Sequence, residues 1–379
     1  MAPCVTVLII GAGCRGKHYS YFAVHFPNRM KVVGVADPHA FARNDLQKIH
    51  CIDKKNVFND WKVAMERERF ADAVIIATPD RLHKELLDAG AIGDICHIQH
   101  LEPVGFWHFA HSFVRGNWRN EAESTFSLLA KSCHDIDLIH FWMGDKRCLK
   151  VSSFGSLSHF TNEHKPKGAA SRCLDCSVEQ TCPYSAKKIY LQRAEKGYFN
   201  WPVSVVCNSG VCDIESVTEG LRSGPYGRCV YECDNDVVSN QVVNMEFEGG
   251  ATAAFTMMAF TEQLCRRKTT VYGTKGELFC DGGGPVQVFD FCTREKTAYP
   301  TNKSTFIPSH LMGHDGADYY LMDSFISALT ENKPSLIQTG PEATLQTHLL
   351  VFEAEKSRKE NRVVCLEMRK ELFPKPTYK

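Results

Sequence analysis

Residues 4–16, CVTVLIIGAGCRG, run an apolar strand straight into Gly11-x-Gly13-x-x-Gly16 at the head of a helical stretch, and this junction constrains the fold more than any other feature of the chain. Glycines at that spacing allow a tight turn, let backbone N–H groups approach a pyrophosphate, and bring the helix N-terminus up to the phosphate charge. Cys14 and Arg15 fill the variable positions of the loop. Asp37 closes the next strand, KVVGVA (31–36), 21 residues after Gly16. A carboxylate there accepts hydrogen bonds from a ribose diol and disfavours a 2′-phosphate, so NAD is expected in preference to NADP. His39 and Arg43 nearby temper that preference.

Strand and helix then alternate: a helix near 40–50, a short strand near 57–58, a helix near 60–68 and an apolar strand at 73–77. Strands apolar on both faces indicate a parallel sheet covered by helices on both sides. From about residue 95 the pattern changes. Gln241–Phe247 and Ala251–Phe260 flank Gly249-Gly250, and Thr269–Tyr272, Glu277–Cys280 and Val286–Phe291 are separated by GTKG and DGGG, which predicts an antiparallel meander. Helices are expected at about 122–143, 318–330 and 342–360, while 159–235, rich in Cys, Gly and Pro, reads as an irregular excursion. The fold class is therefore α/β plus α+β. A Rossmann nucleotide-binding domain spans 1–90 with an incomplete second half, an open, mainly antiparallel sheet domain with helices spans 91–340, and a C-terminal helix and tail span 341–379.

Lys and Arg (44) balance Asp and Glu (44) without long blocks of either sign, so neither nucleic acid nor a membrane is expected as a partner. The N-terminal apolar run is short and lacks a basic start, unlike a signal peptide. Seventeen scattered cysteines are unlike a stapled secreted scaffold and are expected to be reduced thiols in a cytoplasmic protein.

The run ADAVIIATPDRLH (71–83) resembles the Ala-Thr-Pro-Asn/Asp…His loop of the Gfo/Idh/MocA oxidoreductases, matched by Ala77, Thr78, Pro79, Asp80 and His83. The resemblance continues through AIGD (91–94), the helix with His134 and the closing sheet, and so covers nearly the whole chain. It implies a two-domain NAD(P)-dependent dehydrogenase of a sugar, polyol or related small molecule, with Thr78, Pro79 and His83 joining the glycine loop and Asp37 around the cofactor. A homo-oligomer through the second-domain sheet is also expected. In the family, catalysis usually rests on the Lys of a Glu-Lys-Pro motif and on an Asp and a His four apart on a second-domain helix. Here His134 matches the His, Ala130 stands at the Asp position, and Glu-Lys-Pro is absent. Roughly 50–60 residues, about two βα units, are lacking after His83 relative to the family pattern, which would leave strand 73–77 as an apolar sheet edge and the enzyme impaired.

On the second-domain helix Ser127, Lys131, His134 and Leu138 share one face, with Asp135 beside them. A histidine next to a lysine suits proton transfer with a substrate hydroxyl as a nicotinamide takes or gives hydride. Spacing alone equally fits a solvated lysine and a histidine that holds the helix on the sheet. Two further readings fit the resemblance: a catalytically silent nucleotide-binding or regulatory protein or truncated isoform, and an NAD-assisted glycosidase without net redox turnover. Finally, Cys173-x2-Cys176-x5-Cys182-Pro183 has ligand-like spacing for zinc, with His159, His164 or Cys207 as the fourth ligand. Gly224–Cys229 and Asn235-Asp236 either line the substrate cleft or form turns.

Overall fold

The apolar run before the glycine loop forms β1 (Val5–Ile10), which lies between β2 (Met30–Ala36) and β4 (Ala73–Ile75), with β3 (Val57–Phe58) outside β2. The structure is a computed structural model, and it describes residues 4–75, 87, 89–207, 211–300, 307–312, 316–337 and 340–366. All pairings among these strands are parallel. β1 is buried on both faces: Val7 and Ile9 join a core with Phe22, Met30 and Leu46, while Leu8 packs with Ala36 and Phe58 on the other side. This explains its unbroken apolar sequence. Among the described residues β4 pairs only with β1, and the sheet ends there at four strands.

The chain divides into two compact units, residues 1–81 with 302–340 and residues 82–301 with 341–378. The segment 302–340 thus groups with the nucleotide-binding unit, not with the sheet domain to which its place in the sequence assigned it. The reason lies in helix Ala317–Thr330, which adds Met322 and Ile326 to the same core as Phe22 and Met30. Arg29 also pairs with Asp323 at 2.5 Å.

In the second unit a nine-stranded sheet contains β5 (Ile95–Pro103), β6 (Cys148–Ser156), β7 (Asn240–Phe247), β8 (Thr252–Met258), β9 (Lys268–Gly273), β10 (Gly276–Cys280), β11 (Val286–Asp290), β12 (Lys296–Tyr299) and β13 (Val364–Cys365). Its order is β12-β11-β10-β9-β5-β8-β7-β6-β13, antiparallel except where β5 runs parallel to β8. The hairpins β7–β8 and β9–β10–β11 form as expected, but β5 inserts between β8 and β9 and splits the expected meander in two. β6, β12 and β13 carry no hairpin signal in the sequence and are recruited by pairing with distant or adjacent strands. Central strand β5 directs Ile98, His100 and Glu102 to its buried side, toward helix Ser127–Met143.

That helix starts at Ser127, not near 122. Asn120 Oδ1 accepts from the amides of Ala122 and Glu123 at 3.0 and 3.3 Å, and Arg119 grips Asp234 with two 2.9 Å bonds, which hold residues 119–126 in a turn. The excursion has its own small core, including Ile189, Tyr190, Val203, Val217 and Leu221. It also contains a Cys207–Cys212 disulfide, so the expectation of reduced thiols fails at this pair. Among the described residues no helix is long and apolar enough to cross a membrane.

Candidate active site

The glycine loop meets the demands of a dinucleotide. Gly11 has φ +89°, open to glycine without strain. Gly13 caps helix Cys14–His25, and a Cβ built there meets nothing within 4 Å, so the space before the helix N-terminus is free for a phosphate. At Gly16 a Cβ would stand 1.8 Å from the Gly11 carbonyl oxygen, so only glycine lets the helix lie this close to the strand. Asp37 Oδ2 accepts from the Ala12 amide at 2.7 Å and Oδ1 from the His39 amide at 2.8 Å, which fixes the carboxylate beside the loop with lone pairs left for a ribose. The Arg43 guanidinium donates to the Asp37 carbonyl at 2.5 Å, so a cation lies next to that carboxylate. Arg15 pairs with buried Asp318 at 2.8 Å, within the same unit. The Cys14 thiol lies 3.5 Å from His18 Nδ1, whose hydrogen bond draws the thiol pKa down against burial. Thr78, Pro79 and His83 lie outside the described residues.

In the second unit, helix Ser127–Met143, β5 and the strand lead before β9 bring together a buried polar cluster. Lys131 Nζ lies 2.9 Å from Glu102 Oε1, and Arg267 Nε lies 3.4 Å from Glu102 Oε2. The buried Glu102 carboxylate thus faces both cations, one at each oxygen. Arg267 also donates from Nε to Asp135 Oδ1 at 2.5 Å and from its terminal nitrogen to His134 Nε2. His100 Nε2 reaches the same Asp135 oxygen at 3.2 Å, and its Nδ1 bonds Thr269 at 2.8 Å. Two carboxylates therefore balance two cations, with His134 at the more accessible edge, 32% exposed against 0% for Glu102 and Asp135.

This environment sets the protonation states. Burial pushes His134 down to about 4 despite the neighbouring Asp135, so its imidazole is neutral near pH 7. For Lys131, burial pulls the pKa down but the Glu102 carboxylate outweighs it, and the ammonium is held charged. Burial would raise Asp135, yet His134, Arg267 and His100 keep it well below the usual carboxylate range. His108, whose Nδ1 lies 3.4 Å from the Cys265 thiol, is pushed down to about 3 by burial and then by Lys131. The set thus offers one fixed cation that can donate a hydrogen bond and one neutral imidazole that can accept a proton. For Nε2 to do so, Arg267 must first give up its bond.

The structure brings Lys131 and His134 together and adds Glu102, Arg267, His100 and Cys265, which sequence reasoning passed over. One signal was available. His100 and Glu102 occupy the inner, alternating positions of a strand that should carry only apolar residues there.

The zinc expectation is corrected. Among the described residues no group of three or more His, Cys, Asp or Glu side chains is placed to hold a metal ion, the Cys173, Cys176 and Cys182 group included. The suggested fourth ligands are otherwise engaged: His159 Nε2 with the Tyr231 hydroxyl at 3.2 Å, His164 with Thr161 at 3.0 Å, and Cys207 in its disulfide. Gly224–Cys229 serves as a turn, in which a Cβ at Gly227 would fall 1.7 Å from the Leu221 carbonyl oxygen. Asp236 likewise accepts from the Glu121 amide at 2.8 Å.

A glycine-loop parallel sheet followed by a large mixed sheet domain defines a two-domain, NAD-binding oxidoreductase fold. Residues 5–97 match the oxidoreductase family's NAD-binding Rossmann fold and residues 84–366 its C-terminal alpha/beta domain, and the chain belongs to the Gfo/Idh/MocA oxidoreductase family. Among solved structures it is similar to a putative NADPH-dependent oxidoreductase from Desulfitobacterium hafniense (15% identity, TM-score 0.59, 97% of this chain and 99% of that one). It is also similar to scyllo-inositol dehydrogenase from Lactobacillus casei with bound NAD(H) and scyllo-inositol (15%, 0.57, 96% and 99%). A third is the WlbA dehydrogenase from Bordetella pertussis in complex with NADH and UDP-GlcNAcA (12%, 0.57, 96% and 98%). Identities this low show the shared fold alone. No curated protein sequence matches the chain.

Proposed function

We propose that the protein is a cytoplasmic, NAD-dependent dehydrogenase of a sugar, polyol or related hydroxy compound, in which Lys131 and His134 serve the substrate hydroxyl. The observation that carries this reading is the buried Glu102–Lys131–His134–Asp135–Arg267 cluster. Burying four charged groups costs more than burying apolar residues of like volume, so stability alone gives no reason for the set. The printed ligands of the similar structures, scyllo-inositol and a nucleotide sugar acid, support the substrate class.

NAD, when bound, supplies a nicotinamide that accepts or gives a hydride. Gly11, Gly13, Gly16, Cys14 and Arg15 would hold its pyrophosphate and Asp37 its ribose. On the second unit, Lys131 Nζ donates a hydrogen bond to the substrate oxygen and stabilises the negative charge that grows there. His134, neutral at rest, takes the hydroxyl proton at Nε2 once Arg267 withdraws. Glu102 keeps Lys131 charged, and Asp135, paired with Arg267 Nε, balances the guanidinium's charge. Lys131 thereby takes up the task of the missing Glu-Lys-Pro lysine from another place in the sequence. The outer side of the second-unit sheet, with Phe154, Tyr272 and Phe279 exposed, would supply the contact of a homo-oligomer.

The test is a panel of cyclic polyols, sugars and sugar acids incubated with NAD, with both the oxidised carbon product and NADH measured. Equal amounts of the two support the dehydrogenase. Glycoside cleavage with only catalytic NAD would select the glycosidase. Tight NADH binding with no turnover would select the silent nucleotide-binding protein, a reading favoured by Ala130 at the family's Asp position.

A further inference from the structure

Beyond β5 the chain places a histidine and an aromatic group beside Lys131 that the proton chemistry above does not use. The short helix Phe106–Phe109 runs on into a π-helical stretch, Ala110–Arg115, a geometry frequent at functional sites. Cys265 Sγ stands between His108 and Lys131, 3.4 Å from the imidazole Nδ1 and 3.2 Å from the ammonium. The two side chains are therefore close enough to bind neighbouring oxygens of one small molecule.

The His108 tautomer is fixed. Its Nδ1 lies 3.2 Å from the Val104 carbonyl oxygen, which can only accept, so Nδ1 carries the proton and Nε2 the lone pair. Among the described residues Nε2 has no hydrogen-bond partner. Burial, and then Lys131, keep the ring neutral near pH 7. Such a nitrogen accepts from a hydroxyl and has nothing to give a carbonyl or carboxylate.

The Cys-rich excursion supplies the aromatic part. Trp201 stands perpendicular to His108 with ring centroids 5.0 Å apart and to His111 at 5.3 Å, and the Trp107 ring lies 5.4 Å away. Its neighbours are braced in turn: the Arg193 guanidinium lies over the Trp107 ring at 4.6 Å, and His111 Nδ1 bonds the Tyr190 hydroxyl at 2.8 Å. Trp201 nonetheless stays 37% exposed. A partly open indole is unremarkable by itself. Next to a free acceptor and a fixed ammonium it offers an electron-rich face, to which the C–H bonds on one side of a pyranose or cyclitol are complementary.

We propose that His108 Nε2 and the Trp201 indole form the subsite that selects the substrate: a saturated ring with a second hydroxyl beside the one presented to Lys131. This rests on the role given to Lys131 above. The ring lies against Trp201, and the neighbouring hydroxyl donates to His108 Nε2. A ring without that hydroxyl leaves Nε2 unpaired, and a carbonyl or carboxylate at that position sets two acceptors against each other.

The test is calorimetric titration of the full chain, loaded with NADH, with a cyclohexanehexol, an aldopyranose and the monodeoxy analogues of each. At least one deoxygenation should weaken binding about 10- to 100-fold. That penalty should vanish in His108→Leu and persist in His108→Gln, which keeps an acceptor oxygen. Trp201→Ala should weaken every ring by a similar and smaller factor, about 2- to 10-fold, with the deoxy penalty intact. A general loss of structure would weaken all rings together and would not erase one ratio selectively. Equal binding of parent and deoxy rings by the unmutated protein, binding of none of them, or the same penalty in His108→Leu would overturn the assignment. Turnover with NAD is followed separately, so discriminating binding without NADH formation would keep the subsite and overturn the dehydrogenase reading alone.

Discussion

The two units carry their chemistry in opposite ways. In the first, the proposed cofactor cradle rests on three glycines and one carboxylate, set by a single strand–loop–helix–strand passage in which the Asp37 side chain accepts from the Ala12 amide. In the second, it rests on side-chain charge gathered from β5, helix Ser127–Met143 and the lead into β9. A backbone cradle fails when an added atom fills it. A charge cluster fails when a balancing partner is taken away.

The largest effect should follow from breaking the cluster at its centre. Arg267→Met leaves Glu102 and Asp135 buried with one cation fewer, and loss of one member of a buried ion pair commonly costs about 3–5 kcal/mol. Urea unfolding should show a large fall in midpoint, and an unchanged midpoint would mean that the cluster is solvated. Lys131→Met should lower kcat by about 10²–10⁴ while NADH affinity stays as it was. A parallel loss of NADH binding would show that the two units are not separable in this way. In the cradle, Gly16→Ala cannot be accommodated without moving helix from strand, and overpacking of this kind costs about 1–3 kcal/mol. Its signature is weakened NADH binding, measured by fluorescence titration. Asp37→Ala should make a smaller change, about tenfold or 1.4 kcal/mol in the ratio of NADH to NADPH affinity. Equal affinities in the unmutated protein would remove Asp37 as the discriminator.

The pH response gives the finest distinction. His134 is held near 4 in the folded protein, below its ordinary 6.5. Between those values the unfolded chain takes up a proton there and the native chain does not, so the contribution is complete above about 6.5 and is lost as pH falls toward about 4. With His134 as the proton acceptor, kcat/KM for oxidation should show its acid limb near the lower value. An inflection near the ordinary histidine value would instead place a solvated histidine in the role.

The difference between the units also explains what was legible in the sequence. Gly11, Gly13, Gly16 and Asp37 declare themselves because local spacing dictates their geometry. β1 to β3 were readable for the same reason, as each is a short apolar run between turns. Arg267 could not be found that way: it sits beside two other basic residues, and only the register of β9 against β5 brings it to Glu102. Segment 302–340 misled because its amphipathic helix is the same whichever core it covers, and a contact with Phe22 is not written in its periodicity.

The most direct test of the central claim is NAD reduction by the unmutated protein and by Lys131→Met, side by side, on the polyol or sugar that the panel selects, with NADH binding measured on the same samples. The account predicts stoichiometric NADH and oxidised product from the unmutated protein, and from the variant a loss of at least about 100-fold in rate at unchanged NADH affinity. A variant as fast as the unmutated protein, with both binding NADH equally, would contradict it.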